Sequence, residues 1–291
     1  MNHDLRVEPK SFLIGLIGEG IAASLSPAIH EEEARRLGVS YVYRRIDLAE
    51  LGRDTTALPA LVKSLEDAGF DGFNVTYPCK QAIIGLLDEL SDDAKALGAV
   101  NTVVLRNGRR IGHNTDWSGF YRSFRQGLPA DVATERVALI GSGGAGCAVG
   151  HAAMKLGTRE LRVFDVDADR AQRLADDLQE RFPGTRVVRA NDIREAMNNV
   201  DGVIHATPTG MTKLPGMPIP AELLRSSMWV ADVVYFPIET ELIRTARAAG
   251  CRTLNGGGMA VYQAVDAFQI YTGITPNPDR MLDHFRSLLS S

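Results

Sequence analysis

Cysteine is scarce in this chain, neither sign of charge dominates, and no apolar run is long. Its three cysteines, Cys79, Cys147 and Cys251, stand far apart in 291 residues, with no CxxC pair. An odd, dispersed set builds no disulfide framework and no zinc site, so no metal is expected. A reactive thiol at Cys79 would need a helix N-terminus to favour it; a small apolar filler is the plainer reading. The 32 Lys+Arg against 36 Asp+Glu leave a net charge of −4, which argues against the basic face that a nucleic acid requires. No stretch would span a bilayer, and the polar start MNHDLRVEPK lacks the apolar core of a signal peptide. The expectation is a soluble cytoplasmic protein with neither a nucleic-acid nor a membrane partner.

What is present is a large apolar fraction, 45% of 291 residues, enough for two domains. Strand-like runs alternate with helical stretches: FLIGLIG, then PAIHEEEARRLG, SYVYRRIDL, a helix around LPALVKSLEDAG, FDGFNVTY and a helix QAIIGLLDEL. That alternation predicts a parallel sheet covered on both faces. Near residue 120 the pattern restarts, and RVALIGSGGAGCAVGHAAMKLG opens a second β-α-β series. The helix MAVYQAVDAFQIYTG is apolar on more than one face, which predicts packing between layers. NPDRMLDHFRSLLSS reads as an amphipathic helix that closes the chain.

GSGGAG carries the G-x-G-x-x-G spacing at Gly141, Gly143 and Gly146. It follows an apolar strand and opens a helix, the context in which glycines bring the backbone against a pyrophosphate at a helix N-terminus. Asp165 ends the next strand nineteen residues after Gly146, where an acidic side chain accepts ribose hydroxyls and repels a 2′-phosphate. The cofactor read from these residues is NAD before NADP. Arg170, among Asp167 and Asp169, reads as a solvated face residue that would oppose this only by reaching a phosphate.

In the first half, Ser26 directly before Pro27 has the look of a helix N-cap, whereas Ser24 has no such explanation. Two hydroxyls beside a helix N-terminus suit a carboxylate, hence a small anionic substrate. NTVVLRNGRRIGHNTDWSGF predicts a hairpin turning at Asn107 and Gly108 that feeds a helix after Asp116, with Asn101 at its start and Asp116 at its exit, where capping alone would explain an aspartate. In GFNVTYPCKQAI, Lys80 puts a cation in the opening turn of a helix, the end that favours anions.

These stretches together resemble the shikimate and quinate dehydrogenases. SLSPAIH, NVTYPCK, GAVNTVV, GHNTDWSGF, the glycine loop, ATPTGM, DVVYFPIETEL and GGGMAVYQAVDAF occur in that family's order over nearly the whole chain. VVYFPIETEL, QAVDAF and Asp165 look most like its NAD-dependent quinate/shikimate branch. The resemblance implies an α/β protein of two domains: a substrate domain, 1–118 completed by 259–291, and a doubly wound Rossmann domain, 119–258, with the site in the cleft between them. It implies that Lys80 and Asp116 form the catalytic pair and that Ser24 and Ser26 hold the carboxylate. Thr76, Asn101, Tyr235 and Gln263, with Asp116, would bind the ring and its hydroxyls. Toward the cofactor it implies Gly141, Ser142, Gly143, Gly144, Ala145, Asp165, Ala206, Thr207, Pro208, Val233, Gly256, Gly258 and Met259, with Asp92 nearby and Arg170 kept among the candidates.

NADP-dependent biosynthetic members typically carry Asn-Arg-Thr where this chain has Asp165, Val166 and Asp167, which supports NAD. Quinate-active relatives often carry threonine where Ser26 stands. The expected activity is hydride transfer between NAD and the ring alcohol or ketone of shikimate or quinate. The alternatives are an aminoshikimate or related hydroxy-acid dehydrogenase, and a non-catalytic regulator binding NAD or shikimate. A monomer and a homodimer are both compatible with the sequence.

Overall fold

The computed structural model describes residues 11–290; the polar start behind the leader reading, residues 1–10, lies outside the described residues. The chain divides into two compact units: Thr115–Gln263, and the described residues on either side of it, 11–114 and 264–290.

The first unit begins with β1 (Ser11–Gly18), α1 (Ser26–Arg36), β2 (Ser40–Asp47), α2 (Leu58–Asp67) and β3 (Gly72–Val75), and β1 runs parallel to both β2 and β3. Both faces of β1 are buried: Ile17 joins Val62, Phe73 and Val75 on one side, and Ile14 and Leu16 meet Tyr43, Val104 and Tyr271 on the other. That explains the unbroken apolar run of the strand. After β3 come α3 (Cys79–Ala82), β4 (Glu89–Leu90), α4 (Asp92–Leu97), β5 (Thr102–Arg106) and β6 (Arg109–His113), in the sheet order β2-β1-β3-β5-β6-β4.

Here two expectations are corrected. The first sheet is mixed, with β5 antiparallel to β3 and to β6. Asn107 (φ 54°) and Gly108 (φ 70°) adopt the left-handed pair that a two-residue hairpin needs, so the chain reverses with no crossover helix. The helix expected over QAIIGLLDEL is only the one-turn α3, followed by a 3-10 turn, Ile84–Leu86, and the short β4. Gly85 and the β-branched pair Ile83 and Ile84 weaken helix propensity, while Glu89 and Leu90 pair with β6 as an edge strand.

The second unit holds α5 (Asp116–Gly127), β7 (Arg136–Ile140), α6 (Gly144–Lys155), β8 (Glu160–Phe164), α7 (Ala168–Arg181), β9 (Arg186–Arg189), α8 (Ile193–Met197), β10 (Gly202–His205), β11 (Trp229–Asp232), α9 (Glu241–Ala248) and β12 (Arg252–Leu254). Its sheet is parallel throughout, in the order β12-β11-β10-β7-β8-β9. The order reverses between β7 and β10, the switch point at which doubly wound sheets take ligands.

α10 (Gly257–Thr272) carries the chain out of this unit, and α11 (Pro278–Leu289) docks on α1 of the first. The Arg280 guanidinium holds the buried Glu33 carboxylate at 2.6 and 3.0 Å, and Met281 and Phe285 are buried beside it. The unit boundaries fall at 114/115 and 263/264, not at 118/119 and 258/259. α5 lies against α6, so the whole helix counts with the second unit, and the later boundary falls inside α10. Among the described residues no helix is long and apolar enough to cross a membrane.

Candidate active site

In the first unit, Ser24, Ser26, Thr76, Lys80 and Asn101 gather at one edge of the sheet. β1 and β3 end there and the antiparallel β5 begins there. The Glu19 N–H donates to Tyr77 O at 2.9 Å, the Val75 N–H to Asn101 O at 2.9 Å, and the Val100 N–H to Lys80 O at 2.9 Å, tying the three chain segments together. Carboxyl ends of parallel strands are where open α/β sheets place ligands.

Ser26 is not the cap of α1. It is the first helical residue, Leu25 holds the cap position without a side-chain bond, and the Ser26 N–H meets Ser24 Oγ at 3.4 Å. The two hydroxyls therefore sit together in the entry turn. Lys80 lies in a helix of one turn, preceded by a cis Tyr77–Pro78 peptide. A turn that short sums few peptide dipoles, so the macrodipole argument for Lys80 loses most of its force. Cys79 beside it is buried, which pushes its thiol up to about 11 and supports the filler reading.

In the second unit the glycine loop joins β7 to α6. Gly141 has φ 102°, and a Cβ there would stand 2.7 Å from Ala206 O; a Cβ at Gly146 would run into Gly141 O. Gly143, the N-cap of α6, has nothing within 4 Å of its Cβ direction. Two glycines thus permit tight packing and the third leaves an open approach to the first N–H groups of a twelve-residue helix, from Gly144 and Ala145 onward. This geometry fits a dinucleotide pyrophosphate.

Asp165 follows β8. Its Oδ2 accepts both the Ser142 N–H at 2.7 Å and the Ser142 hydroxyl at 2.8 Å, and its Oδ1 accepts the Asp167 N–H at 2.9 Å. Burial pushes this carboxyl up, but those bonds and the Arg170 charge more than offset it and leave it below the usual carboxylate range. Arg170 pairs with Asp167, the cap of α7, at 3.3 Å and is half-exposed, as expected of a solvated face residue. The Ala206–Thr207–Pro208 turn leaves β10 against Gly141, and the Val233 N–H donates to His205 O at 3.0 Å.

Asp116 is the first residue of α5, buried, with Thr115 in the cap position, which corrects the reading of Asp116 as the cap. One turn on, a Cβ at Gly119 would meet Gln263 N at 2.7 Å and Met259 O at 2.9 Å, so α5 and α10 approach through a glycine. A Cβ at Gly258 would likewise collide with Ser123, and one at Gly256 with Val233 O. The α10 candidates are thereby fixed against α5 and the end of β11. Tyr235 is partly exposed just past β11. Asp92, first residue of α4 in the other unit, is fully exposed, 3.9 Å from Lys95. Among the described residues no cluster of His, Cys, Asp or Glu could hold a metal.

Residues 16–103 match the shikimate dehydrogenase substrate binding domain, 256–284 match the shikimate 5'-dehydrogenase C-terminal domain, and 125–228 match the C-terminal domain of alanine dehydrogenase/PNT. A shikimate dehydrogenase (NADP(+)) of Streptomyces avermitilis is 54% identical over 94% of both chains. The chain belongs to the shikimate/quinate dehydrogenase family. A quinate/shikimate dehydrogenase (NAD(+)) of Corynebacterium efficiens is 46% identical over 99% of this chain and 100% of the relative. The structure of a Corynebacterium glutamicum quinate dehydrogenase in complex with NAD superposes with a TM-score of 0.89, at 45% identity, covering 96% of this chain and 99% of that one.

Three side chains that shape this shikimate/quinate dehydrogenase's candidate site are not singled out by sequence. Asn74 is buried on β3, accepts the Tyr43 hydroxyl at 2.7 Å, and donates to Asn101 O and Thr102 Oγ1, both at 2.9 Å. Thr102 in turn donates to Asn101 Oδ1 at 2.9 Å, so Tyr43 and Asn74 fix the Asn101 amide. Asp47, ending β2, accepts the N–H groups of Gly20 and Ile21 at 2.9 and 2.7 Å and anchors the loop that leads to Ser24. Burial raises its pKa, yet those and further backbone donors hold it below the usual range. A polar residue inside the strand FNVTY was the available signal for Asn74; nothing local marks Tyr43 or Asp47.

Proposed function

We propose that this family member is an NAD-preferring dehydrogenase that oxidises a ring alcohol of shikimate or quinate to the ketone, and runs the reverse reduction. The observation that carries the cofactor part is Asp165, ionised and held at the end of β8 by Ser142, where a 2′-phosphate would meet negative charge.

NAD, when bound, supplies the hydride acceptor at C4 of its nicotinamide. Lys80 and Asp116 handle the proton that leaves the reacting hydroxyl, acting as one pair. Ser24 and Ser26 donate to the substrate carboxylate from the entry turn of α1. Thr76, Asn101, Tyr235 and Gln263 bind the ring hydroxyls, with Asn101 already oriented by Asn74. Val233, Gly256, Gly258 and Met259 line the nicotinamide side, and the open face at Gly143 admits the pyrophosphate.

The second reading keeps the chemistry and takes NADP, and the 54% identical NADP(+)-dependent shikimate dehydrogenase of Streptomyces avermitilis favours it. The deciding experiment measures kcat/KM for quinate, shikimate and aminoshikimate with NAD and with NADP. A strong NAD preference is expected; equal efficiency with NADP removes the reading of Asp165. Ligand binding with no turnover of any of the three acids would turn the assignment to a regulator.

A further inference from the structure

Beyond the candidate site, the second unit contains a buried polar chain. His205 ends β10, Asp232 ends β11 and Thr240 precedes α9; their exposures are 0%, 2% and 0%. Asp232 Oδ1 receives His205 Nδ1 at 2.9 Å and the Val234 N–H at 3.0 Å, while its Oδ2 receives the Thr240 hydroxyl at 2.7 Å. Thr240 Oγ1 in turn accepts the Ile243 N–H at 3.2 Å and so caps α9. On the other side of the imidazole, His205 Nε2 lies 2.5 Å from Thr207 Oγ1, which also accepts the Thr209 N–H at 3.2 Å.

With the imidazole neutral, this geometry sets the direction of each bond. Both Asp232 oxygens already take N–H or O–H donors, so the carboxylate acts as acceptor and His205 Nδ1 must carry a proton. In a neutral imidazole with that tautomer, Nε2 is an acceptor, and Thr207 must give it its hydroxyl proton. Thr207 Oγ1 then has donated its only hydrogen inward and, with one lone pair taken by the Thr209 N–H, presents the other lone pair alone. A lone pair accepts from a hydroxyl or an amide N–H and repels a phosphate oxygen. Thr207 is partly exposed, and its methyl packs where a Cβ on Gly141 would go, at 2.7 Å, so it stands beside the glycine loop.

We propose that Asp232 and His205 are positioning residues that set Thr207 as a hydrogen-bond acceptor, so that the Ala206–Pro208 turn takes a hydroxyl or carboxamide N–H of the dinucleotide and not its phosphates. The inference rests on the reading of the glycine loop as the dinucleotide site. It reaches further than the cap-and-turn role that would explain each bond singly, because one buried chain fixes the turn after β10, the turn after β11 and the start of α9 together.

The test has two arms on the full chain. Nitrogen-15 NMR of the histidine rings, with His205 assigned by its loss in His205→Asn, reports the tautomer without any ligand. A neutral ring protonated on Nδ1 is expected; a proton on Nε2, in either the neutral or the charged ring, overturns the proposal. In the second arm, NAD binding is titrated directly and the KM for NAD is measured for Thr207→Val and Thr207→Ser. Loss of one acceptor is expected to weaken NAD about tenfold in Thr207→Val, with kcat changed far less, and Thr207→Ser should recover to within about threefold. Unchanged NAD affinity in Thr207→Val also overturns it. A wild-type chain that binds NAD but turns over neither shikimate nor quinate would defeat the proposed activity while leaving both arms readable.

Discussion

The Ser142 hydroxyl and backbone N–H both donate to one oxygen of Asp165, at 2.8 and 2.7 Å, so the glycine loop and the end of β8 share a single carboxylate. The loop proposed to face the pyrophosphate and the residue proposed to face the ribose are thereby tied together by two hydrogen bonds. Asp165→Asn should reduce kcat/KM with NAD by about tenfold to a hundredfold and raise that with NADP, since a charge-assisted acceptor and a repulsive charge are lost together. Steady-state kinetics with both cofactors checks this. An unaltered preference would mean that Asp165 serves the loop alone.

Lys80→Ala should lower kcat by about 10²- to 10⁴-fold, the usual contribution of a positioned proton-transfer group, and leave NAD affinity nearly intact. Stopped-flow turnover together with a fluorescence titration of NAD separates the two quantities. Near-normal turnover would take Lys80 out of the mechanism.

Gly119→Val should destabilise the fold by about 1–3 kcal/mol, because the new side chain has to displace the α10 backbone at Met259 and Gln263. As Asp116 stands one turn earlier on α5, kcat should fall more than stability alone explains, measured at a temperature where the variant remains folded. Gly143→Ala, whose Cβ meets nothing within 4 Å, is expected to leave the melting temperature nearly unchanged and to weaken NAD binding instead.

His30 predicts the acid response. Burial among Tyr41, Tyr43 and Phe268 lowers its pKa to about 3, against 6.5 in an unfolded chain. Between those values the unfolded state binds the extra proton, so stability falls as pH drops below about 6.5, approaching about 1.4 kcal/mol per unit. His151, lowered to about 4 mainly by burial, acts with the same sign. His30→Phe should flatten the dependence of unfolding free energy on pH between 6 and 4 by close to one proton, whatever its effect on stability at pH 7. An unchanged slope would show that His30 takes up its proton in the folded state.

Local patterns identified the parts of the protein that local physics controls. The glycine spacing after an apolar strand, the NG turn at Asn107 and Gly108 and the amphipathic pattern of α11 each depend on backbone sterics or on one buried face, and both are written within a few residues. The short α3 shows the limit. QAIIGLLDEL has the apolar content of a helix, yet Ile83 is drawn into the core and Glu89 and Leu90 into pairing with Ile111 and Gly112 of β6.

The sequence by itself determined the α/β class, the two-part organisation, the glycine loop between a strand and a helix with Asp165 after the next strand and, through the order of its motifs, the family. Only the tertiary structure decided that the predicted hairpin joins the first sheet with β5 antiparallel to β3, that Tyr43 and Asn74 orient Asn101, that Ser142 holds Asp165, and that His205 and Asp232 stand behind Thr207. Each of these is a pairing between residues far apart in the chain. A buried polar group acquires its role from the partner that satisfies it, and the chain names that partner only once it has folded.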